Sequence, residues 1–369
     1  MAFGGCILSE TTFVLVDGYL TTGISGDSCA SFVWIFFGKN YDSLTNTSRH
    51  KTIPTSIAGN MGAAPIVEAQ GLFKSYGSNV AVDGLSFEIH QGETFGLLGP
   101  NGAGKTTTIS MLVGLLKPDK GLVQLGDSKD ESAKSKSGNP LDPAVRQRIG
   151  VAPQSLSLYD ELTAKENLEF FGQLYGLAGQ RLKERVTTAL AFAELEDRKK
   201  DRVGTFSGGM KRRMNIAVAL IHEPEVLLLD EPTVGVDPQS RNHIFESIQR
   251  LQKDGMTILY TTHYMEEAQR LCDRVAIVDH GKLLALDTVP QLIEKHGGCS
   301  VVTCELNERP ADLELPGSLD GNTLRFDSDK PLEQVATLTS QGIQFQTLNI
   351  AQPDLESVFL NLTGRSLRD

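Results

Sequence analysis

From Ile66 onward, short apolar runs recur along the chain: IVEAQGLF, LSFEIH, TFGLLG, RIGVAPQ, EVLLLDEP, MTILYTTH and RVAIVDHGKLLAL. Segments with helical spacing alternate with most of them. That alternation predicts a largely parallel sheet with helices on its faces, an α/β fold. The stretch LTAKENLEFFGQLYG opens with Thr163 and Glu166 at capping-box spacing and then lines Leu168, Phe171 and Tyr175 along one face, so a helix is expected there. Between Gly126 and Pro143 the residues are polar and rich in Ser and Lys, which predicts a flexible surface loop.

The pattern changes at both ends. Residues 1–60 are rich in Thr, Ser and Gly and show no clear period; their one greasy patch, FVWIFF at Phe32–Phe37, holds the only Trp. No basic region of a secretory signal precedes that patch, and FGGC at Phe3–Cys6 is a poor lipoprotein box for the same reason. A regular domain begins within a few residues of Met61. The expectation is that Met61 is the biological start and that residues 1–60 are a disordered or mis-called extension. The main domain is then 61–295. Beyond about His296, SVVTCEL, TLRFDS and IQFQTLNI read as strands and PLEQVATLTSQG as a helix. PDLESVFLNLTG closes as an amphipathic helix with Leu355, Val358, Phe359 and Leu362 on one face and Gly364 as its stop, so 296–369 reads as a small appended α/β domain.

Bulk numbers narrow the classes. A length of 369 residues allows one large domain or two ordinary ones, and 40% hydrophobic with 22% charged residues is ordinary globular composition. The net charge of −11 gives no sign of a broad nucleic-acid-binding surface. Five Cys without CxxC spacing fit a reducing compartment better than a disulfide scaffold. No apolar run approaches the roughly 20 residues of a membrane span, so any membrane role is played from outside the bilayer.

The chemistry begins at GPNGAGKTT: Gly99, Pro100, Asn101, Gly102, Ala103, Gly104, Lys105, Thr106 and Thr107. It fits the phosphate-loop pattern G-x-x-x-x-G-K followed by Ser or Thr, comes after a strand and opens the helical TISMLVGLL. Glycines let successive backbone N–H groups point inward as an anion nest at a helix start. Lys105 would reach the β- and γ-phosphates of a nucleotide, and the Thr106 hydroxyl would bind Mg²⁺. EVLLLDEPT supplies a strand ending in Asp230, able to hold the magnesium shell, and then Glu231, able to orient or deprotonate an attacking water.

Three residues acquire jobs beside these. Gln154 ends a strand with an amide able to touch both Mg²⁺ and water. His263 ends another and could donate to a γ-phosphate oxygen. Tyr76 precedes the phosphate loop and offers a ring for adenine stacking. Taken singly, each also has a plain reading: a surface amide, a satisfied loop histidine, a core tyrosine.

In this order the motifs resemble the ATP-binding subunit of ABC transporters, over about Ile66 to Leu286. Tyr76 resembles the adenine-stacking loop, Gly99–Thr107 the Walker A loop and Gln154 the Q-loop. Asp230 with Glu231 resembles Walker B and its catalytic glutamate. Val234–Asp237 stands in the D-loop place and His263 in that of the switch histidine. The resemblance implies a P-loop core with an antiparallel β subdomain and a helical subdomain at about 155–220. It also implies that FSGGMKRRMNIAVAL carries the signature loop, with Ser207, Gly208 and Gly209 reaching ATP held by a second copy. Two adjacent Gly cost helix propensity; bare backbone there lets helix N-terminal amides approach the opposing γ-phosphate. A dimer is therefore expected, a homodimer first and a heterodimer as the alternative.

Two departures stand out: the usual Leu-Ser-Gly-Gly-Gln reads Phe-Ser-Gly-Gly-Met, and the D-loop reads Val-Gly-Val-Asp. Met210 puts in doubt a contact that an amide there would make to ribose or neighbouring backbone. SGGMKRR, PTVGVDP and the ending LESVFLNLTGR resemble the branch that energises ABC-2 type exporters of the drug-resistance and sodium-efflux kind. The resemblance implies a separate multi-span permease, moved through the helical subdomain near Gln154, and a peripheral place on the cytoplasmic face of the cell membrane. The alternative is a soluble ABC ATPase acting in translation, repair or regulation without a permease. The long coiled-coil or zinc insertions of repair proteins and the paired cassettes of translation proteins do not occur in this sequence.

Overall fold

The computed structural model describes residues 65–126, 138–308 and 315–364, with the backbone of two strands, Thr12–Val16 and Tyr19–Gly23, that pair antiparallel. The FVWIFF patch, Met61 and most of the polar stretch after Gly126 lie outside the described residues. The chain divides into two compact units: Met1–Glu93 with Thr106–Tyr260, and Thr94–Lys105 with Thr261–Asp369.

In the first unit, the strand Pro65–Tyr76 pairs antiparallel with both Asn79–His90 and Lys120–Leu125. Alternation explains the middle of this sheet: Leu85, Phe87 and Ile89 are buried while Ser86 and Glu88 are exposed. The strand Ile149–Ala152 lies parallel to Val226–Asp230. Val226–Asp230 is buried at all five positions, the continuous apolar run expected of a strand covered on both faces.

Three helices of this unit, Ala164–Leu174, Gly179–Ala193 and Gly208–Ala219, share one apolar core. The first starts at the expected capping box, in which Thr163 N–H donates to the Glu166 carboxylate at 2.8 Å and Glu166 N–H to Thr163 Oγ1 at 3.2 Å. Leu168 and Phe171 face inward as their spacing predicts. Tyr175 instead sits at the C-cap, 39% exposed, with its ring stacked on His222 at 3.7 Å. In the second helix Leu182, Val186, Ala189, Leu190 and Ala193 form the buried stripe. Each large side chain buried in this core contributes about 1.5–3 kcal/mol.

In the second unit, Arg274–Asp279 lies parallel to Thr94–Leu98 and antiparallel to Lys282–Thr288. The apolar run RVAIVDHGKLLAL is thus two strands, folded over at His280 and Gly281, whose φ angles of 47° and 74° are those of a tight hairpin turn. Four strands follow in the spatial order Ser318–Asp320, Thr323–Ser328, Ser300–Leu306, Phe345–Ala351, all antiparallel. Val302, Cys304, Leu306, Leu324 and Phe326 make their core with Leu338 of the helix Pro331–Ser340. The last helix, Leu355–Thr363, buries Leu355, Val358 and Phe359 and stops at Gly364 with φ 69°. Leu362, expected on the same face, is only partly buried.

The helix Val289–His296 and the closing helix belong to the same unit, and Asn361 Nδ2 donates to His296 O at 2.9 Å. The strand Thr257–Thr262, buried throughout, runs from the first unit into the second. Among the described residues no helix is long and apolar enough to cross a membrane.

Candidate nucleotide site

The buried strand Thr94–Leu98 delivers the chain to Gly99, and the helix Lys105–Leu112 takes it away. Three glycines between them have separate reasons. A Cβ on Gly99 would lie 2.2 Å from Val278 O, while Gly102 and Gly104 have φ of 82° and 98°, which side chains rarely adopt. Ala103 is buried; Asn101 at the tip is exposed. The Lys105 ammonium is 5% exposed and donates to Gly99 O at 2.8 Å and Pro100 O at 3.2 Å, which folds the lysine back over its own loop. Thr107 is partly buried in the first helical turn.

Thr106 Oγ1 donates to Asp230 Oδ2 at 3.2 Å, so the hydroxyl after the lysine meets the carboxylate that ends the buried strand. A hydroxyl and a carboxylate are hard oxygen donors of the kind that Mg²⁺ takes beside waters and substrate phosphates. Glu231 follows at once, 5% exposed and with φ 46°, a backbone conformation costing about 1–3 kcal/mol for a non-glycine residue and typical of functional positions. Gln154 lies just past the strand Ile149–Ala152, and its Nε2 donates to Glu231 Oε2 at 3.0 Å.

The signature stretch opens the helix Gly208–Ala219. Ser207 is its N-cap, accepting from Met210 N–H at 3.3 Å. Ser207 and Gly208 are exposed, but Gly209 is buried: a Cβ there would lie 2.2 Å from Ser240 Oγ. The second glycine thus has an intramolecular cause that sequence reasoning missed. Met210 packs its side chain on the apolar core of the three helices. Ser240 belongs to the helix Pro238–Lys253, capped by Asp237, whose carboxylate accepts from Ser240 N–H at 2.9 Å; that bond holds the Asp237 carboxyl below its usual range.

Tyr76 ends its strand 53% exposed, with the Lys74 ammonium 5.9 Å from its ring centre. His263 follows the strand Thr257–Thr262 and packs its ring at 4.1 Å from that of Tyr264. Its neighbour Thr262 is tied three ways. Thr262 O accepts from Gly99 N–H at 3.3 Å, and its hydroxyl donates to buried Glu267 at 2.8 Å and accepts from Tyr264 N–H at 2.9 Å. Glu267, which holds Thr262, and the buried Arg212 were not singled out by sequence reasoning.

A family model described as ABC transporter matches residues 82–234. The linearmycin resistance ATP-binding protein of Bacillus subtilis is 43% identical over 321 residues, spanning 82% of this chain and 100% of that protein. The Nod factor export ATP-binding protein I of Ralstonia nicotianae is 42% identical over 324 residues, spanning 84% and 97%. Among solved structures, an ATP-binding subunit of an ABC transporter matches with TM-score 0.53 and 29% identity over 63% of this chain and 93% of its own. A dimeric ATP-binding cassette in a post-hydrolysis state with ADP and Pi matches with TM-score 0.53 and 27% identity over 60% and 98%. Phosphate-loop geometry, fold and a likeness to relatives over 82–84% of the chain agree, and this chain belongs to the ABC transporter family as an ATP-binding, ATP-hydrolysing subunit.

Proposed function

We propose that the chain drives a separate ABC-2 type permease as an exporter, from the cytoplasmic face of the membrane, by closing an ATP-dependent dimer and reopening it on hydrolysis. Two copies bind two ATP head to tail. Each nucleotide lies between the Gly99–Thr107 loop of one subunit and the Ser207–Gly209 helix start of its partner. Tyr76 stacks on adenine, and Lys105 leaves its loop carbonyls for the β- and γ-phosphates. Thr106, Asp230 and Gln154 would hold Mg²⁺, which would neutralise charge on the phosphate oxygens.

Glu231 takes the proton of the attacking water as its oxygen bonds to the γ-phosphorus and the bond to the ADP oxygen breaks. His263 donates to a γ-phosphate oxygen. Loss of that phosphate removes what joined the two subunits, and the movement passes through the helical subdomain near Gln154 to the permease.

The observation that carries this reading is the start of the Gly208–Ala219 helix. Its N-cap Ser207 and first residue Gly208 are exposed, and the first amides of an α-helix have no intrahelical acceptor. The export role draws on the relatives whose names state linearmycin resistance and Nod factor export. The test is to tag the chain in its own cell, solubilise membranes in mild detergent and identify what co-purifies. A multi-span membrane protein is expected in fixed ratio with it; recovery of the chain alone from the soluble fraction contradicts the permease role.

A further inference from the structure

Arg212 lies one turn into the helix Gly208–Ala219 and is 7% exposed. Its guanidinium spends its fork on backbone. Nη1 donates to Gln154 O at 2.6 Å and Pro153 O at 3.3 Å, and Nη2 donates to Val234 O at 3.2 Å. Those carbonyls belong to the two segments that frame Glu231. On one side the Gln154 amide holds the Glu231 carboxylate; on the other, Val234 N–H donates to Glu231 O at 3.3 Å. One side chain therefore ties the Gln154 segment, which holds the Glu231 carboxylate, to the backbone just after Glu231.

The same helix is anchored twice more. Asn215 Nδ2 donates to Pro153 O at 3.2 Å, and its Oδ1 accepts from Ser157 N–H at 3.2 Å. Gly209 is pressed against Ser240 closely enough that no Cβ fits. The signature start is thus joined to the Gln154 segment by Arg212 and Asn215, and to the Val234–Ser240 segment by Arg212 and Gly209. Burial, the larger influence, lowers the Arg212 pKa from its usual value, and the neighbouring Asp230 carboxylate opposes it. A planar five-donor fork can span three carbonyls on two loops; a lysine ammonium concentrates its donors at one point.

We infer that Arg212 is a positioning residue that locks the Ser207–Gly209 helix start to the backbone around Glu231 and so couples the two nucleotide sites of the dimer. The inference rests on the dimer reading above. In that dimer the signature start grips the ATP of the partner, while Glu231 of the same chain acts on its own ATP. Because Arg212 joins the two, engagement of one nucleotide sets the geometry of the base at the other. ATP hydrolysis is then cooperative through this residue, not only through the shared closure.

The test uses the full chain with Arg212→Met and Arg212→Lys. ATPase rate is followed against ATP concentration, with nucleotide affinity, thermal unfolding and nucleotide-driven dimerisation in a Glu231→Gln background. For Arg212→Met the expected outcome is turnover per bound nucleotide down by about 100-fold and a Hill coefficient falling toward one, with ATP affinity within about twofold of the parent. Arg212→Lys should fall between. A purely structural arginine would lower the melting temperature and the fraction of protein that binds ATP, leaving turnover per bound nucleotide and the Hill coefficient at parental values. That result, in either variant, overturns the inference. If Arg212→Met does not fold, Arg212→Lys decides by the same two quantities. A Glu231→Gln chain that dimerises with ATP while the Arg212 variants stay fully cooperative overturns this inference alone; one that stays monomeric overturns the dimer reading and this inference with it.

Discussion

Gln154 Nε2 and Glu231 Oε2 lie 3.0 Å apart in a hydrogen bond that joins the end of one strand to the strained residue following another. The amide fixes a carboxylate that is 5% exposed and whose backbone sits at φ 46°. Gln154→Ala leaves the charge in place but frees its direction. Turnover is expected to fall by about 10- to 100-fold with ATP affinity nearly unchanged, as read by steady-state ATPase rates beside equilibrium nucleotide binding. Equal rates in the two proteins would remove Gln154 from the catalytic geometry.

Lys105 is the buried cation of the phosphate loop, seated on Gly99 O and Pro100 O. Lys105→Ala removes the charge that the phosphates are to meet. Hydrogen bonds to charged groups contribute about 1.5–3 kcal/mol, so ATP affinity should weaken by roughly 10- to 100-fold. Titration calorimetry measures this directly, and an unchanged dissociation constant would move the triphosphate elsewhere.

The two signature glycines should separate by experiment. Gly209→Ala puts a methyl 2.2 Å from Ser240 Oγ, and overpacking of this kind costs about 1–3 kcal/mol. Its melting temperature should drop, and Ser240→Gly in the same chain should recover most of the loss. Gly208→Ala would meet nothing nearer than Gly235 O at 3.9 Å, so its melting temperature should hold while its ATPase rate falls. A stable, fully active Gly208→Ala protein would mean that no phosphate approaches this turn.

His222 makes stability depend on pH. Burial, the largest cause, and the nearby Arg185 charge push its pKa down from 6.5 to about 4, against the opposing hydrogen bond with Ile149 O at 3.2 Å. Folded His222 stays neutral down to about pH 4, whereas in the unfolded chain it takes a proton below about 6.5. Between those values the unfolded state binds more protons. Stability is therefore complete above pH 6.5 and is lost as pH falls toward 4, by at most about 3 kcal/mol. Denaturant midpoints measured across this range should decline, and His222→Phe should flatten the decline; an equal slope in both would assign the effect to other groups.

Much of this site is legible along the chain because its chemistry is local. The glycines around Lys105, the strand ending in Asp230 and the Thr163–Glu166 capping box each sit within nine residues of contiguous sequence. What stays hidden is long range. Arg212 meets Gln154 across 58 positions and Val234 across 22, and nothing in its own segment marks those carbonyls. Gly209 reads as a phosphate contact until Ser240 is seen against it. The polar stretch Asp279–Lys282 marks the turn at His280–Gly281, and two strands are merged only when the apolar stretches on either side of it are taken as one run. Tyr175 has the right spacing for a buried face, but the helix ends beneath it and the ring turns to His222 instead.

In the dimer proposed above, one ATP is shared between the lysine loop of one subunit and the helix start at Ser207 of another. The direct measurement is the molar mass of full-length Glu231→Gln in solution, by light scattering, with and without Mg²⁺ and ATP. A shift to twice the chain mass of 40.1 kDa is expected on adding ATP, reversed by Ser207→Arg, together with a turnover lowered by about 10²- to 10⁴-fold. A protein that binds ATP, cannot hydrolyse it and keeps the mass of a single chain would rule out a nucleotide shared between two subunits.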